Sequence, residues 1–241
     1  MCTVTLIPKG KNDFVLTSNR DEAPNRVSLA PEVYSIQNTK LLFPKDEISG
    51  GTWIGISEKN RLICVLNGGN EKHDRKPEYR LSRGVVAKDF MLSDNIETAI
   101  DTYNLQDIEP FTIVIVDWNT TLRFFELVWN GNEKQYTELP LEPKIWSSST
   151  LYTNEMKKER LQWFEGFKNK NALTANSLMQ FHKTAGHNND DYGVVMNRGF
   201  VKTTSITQVE KHDDALEMCY ENLQNNLLSH TKFNIPHIVN E

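Results

Sequence analysis

No stretch of the 241 residues approaches the ~20 consecutive apolar side chains that a bilayer-spanning helix needs, so no helical membrane span is expected. A charged segment followed by an apolar core is also missing from the N-terminus, so no secretory leader is expected either. Cysteine is scarce. Cys2, Cys64 and Cys219 show no Cys-x-x-Cys spacing, and an odd three cannot close a disulfide framework. Positive charge is in short supply as well: 27 Lys and Arg against 32 Asp and Glu leave a net charge of −5. That is the wrong sign for nucleic acid or an anionic membrane surface. The one basic run, residues 72–83, is cut by Asp74, Pro77 and Glu78 and reads as solvated surface. These absences fit a reducing, cytoplasmic setting.

What is present is an ordinary globular balance, 38% hydrophobic and 24% charged, enough to bury a core within one domain spanning residues 1–241. Residues 2–7 alternate in the manner of a half-buried strand, and residues 14–17 resume it after a polar turn, which predicts a hairpin. Residues 22–46 are polar and broken by prolines, and read as a long loop with short strands. A second hairpin is expected over residues 52–66, ending in Asn67-Gly68-Gly69-Asn70. Between residues 81 and 103 the period turns helical, with Ser82 as an N-cap and a second short helix from Ser93 or Asp94. Strands are expected at 111–116, 122–129, 135–139 and 145–148, then helices over 154–169 and 175–185. Further strands are expected at 193–196, 200–209 and 216–223. Runs of strands and gathered helix pairs suggest an α+β arrangement of antiparallel sheets with helices outside.

Chemistry concentrates at the start. Methionine before a small residue is normally trimmed, which would leave Cys2 first. An N-terminal cysteine carries a thiol nucleophile and, with a reference pKa of ~8, its own base in the α-amine. The hairpin would bring Asn19-Arg20-Asp21-Glu22, at the end of the second strand, beside that residue. Arg20 could hold a thiolate or a substrate carboxylate, and Asp21 could orient an ammonium. Asn67, at a strand end, could donate to an oxyanion. Gly50-Gly51 lacks the Lys-Ser/Thr ending of a phosphate loop and suits a close backbone approach instead.

Met1-Cys2-Thr3, the Asn19–Glu22 tetrad with Pro24 and Arg26, Asp46, Gly50-Gly51-Thr52-Trp53-Ile54-Gly55, Leu66-Asn67 and Ser82-Arg83-Gly84 together resemble the NRDE family, also called the transport and Golgi organisation 2 family. The resemblance is dense over residues 1–92. It implies an N-terminal-nucleophile hydrolase-like fold, an αββα sandwich of two antiparallel sheets. More distantly the layout is similar to choloylglycine hydrolase and penicillin V acylase, which implies catalytic roles for Cys2, Asp21 and Asn67. Arg20 departs from that pattern: the acylases place their arginine where this chain has Ser18, and their second asparagine falls near Ser147 and Ser148. With Arg20 added as the family's own arginine, Asn19, Glu22, Trp53, Arg83 and Ser148 are the expected substrate contacts. The resemblance leaves two functions open. One is a cysteine amidohydrolase acting on a small-molecule amide. The other is a non-enzymatic carrier of haem or another hydrophobic metabolite, for which His73, His182, His187 and His212 and six methionines are on offer. No resident cofactor or metal is expected, residues 188–191 reading as a turn, and the oligomeric state is left open.

Overall fold

A computed structural model of the chain describes residues 3–235, and apolar alternation accounts for most of its layout. The first hairpin is β1 (Thr3–Lys9) and β2 (Asp13–Glu22), followed by a second made of β3 (Ser28–Ile36) and β4 (Thr39–Asp46). β5 (Ile54–Ser57) and β6 (Arg61–Asn67) come next, then α1 (Arg83–Leu92) and α2 (Ile96–Thr102). Four strands follow: β7 (Phe111–Asp117), β8 (Arg123–Trp129), β9 (Lys134–Leu139) and β10 (Lys144–Ser147). α3 (Asn154–Lys170) and α4 (Ala175–Thr184) precede β11 (Lys202–His212), β12 (Ala215–Asn222) and β13 (Leu227–Lys232).

The strands form two antiparallel sheets. One runs β3 to β9 in chain order; the other has the order β10-β1-β2-β11-β12-β13. β2 is therefore central, flanked by β1 and β11 along its length. Side chains of successive strand residues point to opposite faces, and three apolar clusters divide accordingly. Leu6, Phe14 and Leu16 meet Leu62, Cys64 and Val114 between the sheets. Ile63, Val65 and Ile113 pack outward on Val86, Phe90 and Ile100 of the first helix pair. Ile7 and Val15 pack on Phe164, Leu178 and Phe181 of the second. The result is the α+β, four-layer helix–sheet–sheet–helix order. Among the described residues, no helix is long and apolar enough to cross a membrane.

Several local expectations need correction. Residues 22–46 hold a long hairpin, not a loop with short strands. Its turn puts Gln37 and Asn38 both at positive φ, 50° and 61°, a conformation for which glutamine gives little warning. Pro31 falls within a register shift between Leu29 and Glu32, where a proline is tolerated. No strand forms at 193–196: Val194 N–H donates to Ala185 O (3.0 Å) and Met196 N–H to Thr203 Oγ1 (3.0 Å), so this segment closes onto the end of α4. The second short helix begins at Ile96 under an Asn95 cap, and β13 lies beyond the last expected strand.

The expected close approach at Gly51 is real. A Cβ on Gly84, in the first turn of α1, would lie 2.8 Å from Thr52 O and 2.9 Å from Thr52 N, and one on Gly51 would lie 3.3 Å from Gly84 Cα. The opposing atoms are backbone and cannot swing away. Ser82 caps the helix at this contact, its side chain accepting from Val85 N–H. Gly84→Ala should therefore cost about 1–3 kcal/mol through overpacking, read as a lowered urea midpoint with an unchanged slope.

Candidate functional site

Three elements meet at one end of the sandwich. The end of β2 supplies Arg20 and Glu22, the segment around β4 and β5 supplies Asp46 and Trp53, and the end of β6 supplies Asn67. These residues line a cavity of about 160 Å³ together with Arg26 and the start of α1. A hollow of about 240 Å³ shares Glu22, Arg26, Asn67, Arg83 and Glu109 with it and extends to Lys72 and His73. Of the basic run read from the sequence as solvated surface, Lys72 and Arg75 are exposed at the rim of these walls, whereas Arg83 is largely buried in them.

Arg20 is almost wholly buried. Its guanidinium lies 4.6 Å above the Trp53 ring, donates to Asp46 Oδ2 at 2.7 Å and reaches Thr204 Oγ1 at 3.2 Å. Asp46 is also gripped by Arg26 Nε at 2.7 Å and by Ser49 through its backbone N–H and hydroxyl, both at 2.9 Å. Burial alone would raise the Asp46 carboxyl, but the Arg26 and Ser49 hydrogen bonds outweigh it and hold it below the usual range. Burial pulls the Arg20 guanidinium down, opposed by Glu22 and Asp46. Glu22 is looser, 3.9 Å from Arg20 and 3.7 Å from Arg26.

The pleat sends the neighbours of Arg20 the other way. Asp21 accepts from Tyr152 Oη (2.6 Å) and Thr203 Oγ1 (2.6 Å) on the side of α3 and α4. Tyr152 lies under the Arg160 guanidinium at 3.6 Å, and Arg160 donates to Thr3 Oγ1 at 2.6 Å. The head of β1 is thus tied to Asp21 through two side chains that the sequence did not single out. A register shift between Thr203 and Ser205 marks a bulge opposite Arg20 and Asp21, where Thr204 donates to Arg20 O (3.1 Å). Bulges of this kind re-aim side chains beside sites.

Asn19 faces α4. Its amide NH₂ donates to His182 O (3.0 Å) and Val194 O (2.8 Å), which leaves Oδ1 to accept from His182 Nδ1. That fixes the tautomer: His182 Nε2 accepts from the Thr5 hydroxyl at 2.8 Å. Asn67 and Ser148 bridge the two sheets, Ser148 Oγ donating to Asn67 O at 2.7 Å and sharing a 2.9 Å bond with Thr150 Oγ1. The Asn67 side-chain amide has no hydrogen-bond partner among the described residues and borders the cavity. Cys2 lies outside the described residues. The structure thus brings Arg20, Glu22, Trp53, Asn67 and Arg83 together, and sets Asn19, Asp21 and Ser148 behind or beside them.

Residues 1–236 match the family model described as Transport and Golgi organisation 2. The chain belongs to that family. Comparison with curated proteins finds no significant match. Among solved structures, this family member is similar to an N-acylethanolamine-hydrolyzing acid amidase ortholog from Caenorhabditis elegans, at 9% identity and a TM-score of 0.59, covering 86% of this chain and 92% of that one. It is also similar to a variant of conjugated bile acid hydrolase from Clostridium perfringens, at 10% identity and TM-score 0.54, covering 96% and 92% of the two chains. A third is penicillin V acylase from Agrobacterium tumefaciens, at 12% identity and TM-score 0.53, covering 96% and 86%. The shared fold is that of N-terminal-nucleophile hydrolases.

The histidines weighed as haem ligands are dispersed. His182 has both ring nitrogens engaged in the helix layer, and His73 sits 3.5 Å from Glu109. His187 follows α4, while His212 is exposed at 3.3 Å from Asp13. Asp13, His212 and Asp213 cluster at a hairpin end, where Lys211 also reaches Asp13 (3.3 Å).

Two outcomes test the site's supports. Asp46→Asn leaves Arg20 buried without its close counter-charge and should cost about 3–5 kcal/mol, whereas Glu22→Gln, partly exposed and loosely paired, should cost under about 1 kcal/mol; urea denaturation of both variants compares them. Burial, reinforced by Arg160, pushes His182 from 6.5 down to about 3. Its depressed folded value means the unfolded chain takes the proton first, so this contribution to stability is complete above pH 6.5 and is lost as pH falls towards 3. Stability curves of His182→Gln should therefore show a shallower acid limb between those limits.

Proposed function

We propose that the chain is an N-terminal-cysteine amidohydrolase that cleaves the C–N bond of a small-molecule amide. The observation that carries this reading is that Arg20 and Asn67 line one cavity while Thr3, the first described residue of β1, pairs with Asn19, the neighbour of Arg20. Thr3 pairs with both Asn19 and Ser147, and Ser148, next in line, binds the backbone of Asn67. Cys2 is joined to Thr3 by one peptide bond, which keeps their Cα atoms ~3.8 Å apart. The other thiols are poor nucleophiles: burial pushes Cys64 up to about 12, and burial with Glu221 raises Cys219. Both are free, in keeping with a reducing cytoplasmic setting. The similar structures are those of a hydrolase, an amidase and an acylase.

In this mechanism the Cys2 thiol gives its proton to its own α-amine and the sulfur attacks the amide carbonyl. The carbonyl π pair moves onto oxygen, and the side-chain amide of Asn67 donates to that oxyanion. Collapse expels the amine, which takes the proton from the α-ammonium, and leaves a thioester on Cys2. Water, deprotonated by the same α-amine, then attacks the thioester and releases the acid. Asp21, held by Tyr152 and Thr203, orients the ammonium, while Arg20, held by Asp46, fixes the cavity wall beside the reacting group.

Intact mass of the native protein, before and after treatment with a neutral thiol-acylating ester, tests the reading. The expected result is a chain lacking Met1 that gains one acyl group, and gains none in Cys2→Ala. Retained Met1, or an unblocked Cys2 that stays unlabelled, would overturn it.

A further inference from the structure

The cavity carries a charge opposite to that of the molecule. The whole chain stands at −5, yet one wall of the site is cationic. At the Arg20 end the charges are matched, Arg20 and Arg26 closing on Asp46 and Glu22. At the other end they are not. Glu109 alone serves Arg83 at 3.1 Å, His73 at 3.5 Å and Arg75 at 3.9 Å. Lys72 lines the same hollow and has no acidic partner among the described residues. Three permanent cations therefore gather at Glu109, with Arg83 largely buried in the wall and Arg75 and Lys72 exposed at the rim, and the nearest other carboxylate, Glu22, is engaged by Arg20 and Arg26.

Two further features favour negative charge there. Trp53 Nε1 and His73 Nδ1, both on lining residues, are buried without a hydrogen-bond partner among the described residues, a condition that ordinarily calls for an explanation. α1 begins at this wall, where Arg83 and Gly84 line the cavity, and the contact of Gly84 with Thr52 and Gly51 presses the positive end of the helix against it. Arg83 is itself held in place, donating to Pro110 O at 3.3 Å from the segment that carries Glu109.

We propose that Arg75, Arg83 and Lys72 form an anion-binding subsite for a carboxylate or phosphate group of the ligand, with Glu109 as a resident counter-ion that the ligand's anion displaces. Describing the ligand as a substrate rests on the amidohydrolase reading; the subsite itself does not. The substrate class that follows is a small acidic amide, its anion seated on the Arg83 wall and its carbonyl toward Asn67. Glu109 and the incoming anion compete for the same guanidinium groups, so the carboxylate weakens binding while keeping the empty wall from self-repulsion.

Titration calorimetry on the full chain at low ionic strength provides the test, with glutarate, inorganic phosphate and neutral glutaramide as probes. At least one anion should bind saturably and glutaramide should not; which anion binds tells carboxylate from phosphate. Arg83→Gln should weaken that binding at least ~10-fold, and Glu109→Gln should strengthen it several-fold, both effects shrinking as salt is added. A gain in affinity cannot come from misfolding, so the Glu109 variant decides the matter even if Arg83→Gln folds poorly. Binding of neither anion, equal binding of glutaramide, or weaker anion binding in Glu109→Gln would overturn the proposal. Equilibrium binding needs no turnover. An unlabelled Cys2 would therefore sink the hydrolase reading and leave the subsite standing, while equal binding of glutarate and glutaramide would do the reverse.

Discussion

The pleat of β2 governs the rest. Because β2 is hydrogen-bonded along its length on both sides, its residues cannot rotate, and each side chain is committed to one face of the sheet. Phe14, Leu16 and Arg20 go between the sheets, while Val15, Thr17, Asn19 and Asp21 go toward α3 and α4. A compact charged tetrad in the sequence thus becomes two separate devices. On one face Arg20 forms the wall of a cavity; on the other, Asn19 clamps α4 and Asp21 joins a buried network through Tyr152.

The two faces nevertheless serve one place. Arg160 reaches Thr3 from the helix layer, Ser148 reaches Asn67 from the six-stranded sheet, and Asp46 reaches Arg20 from the seven-stranded sheet. Each of these bonds crosses a layer boundary, so Thr3, the Asn67 backbone and Arg20 are each tied to a different layer. Buried polar connections of this kind stabilise little on balance but are expensive to break. Such a framework holds Thr3, Arg20 and the Asn67 backbone in place.

Much of this was legible before the fold was known. Apolar alternation gave the hairpins, the change of period gave the helices, and paired glycines announced a close backbone approach that Gly51 and Gly84 make. Of the tetrad, Arg20 and Glu22 share one cavity lining with Asn67. What stayed hidden was long-range. Nothing near Tyr152 or Arg160 marks them as partners of Asp21 and Thr3, more than a hundred residues away. Lys72 and Arg75 are exposed, as expected of a basic run diluted by acids and a proline; what stayed hidden is that Arg83 turns inward onto Glu109. A turn through Gln37 hid the second hairpin, since glutamine gives no hint of positive φ.

The bulge in β11 has a consequence for how that strand tolerates change in length. Thr203 stands opposite Asp21 on the helix side, but beyond the bulge it is Thr207 and Val209 that stand opposite Ser18 and Leu16, on the side between the sheets. Odd-numbered positions thus change face part-way along the strand, and Thr204 is the extra residue that makes the change. Loss of that single residue would restore an even count, and the strand could then keep its apolar side chains inward only by turning Thr203 away from Asp21. The spacing of this strand is therefore set in whole residues: substitutions at Thr204 change the two hydrogen bonds of its hydroxyl with Arg20, whereas a deletion there forces a choice between the core and the network around Asp21.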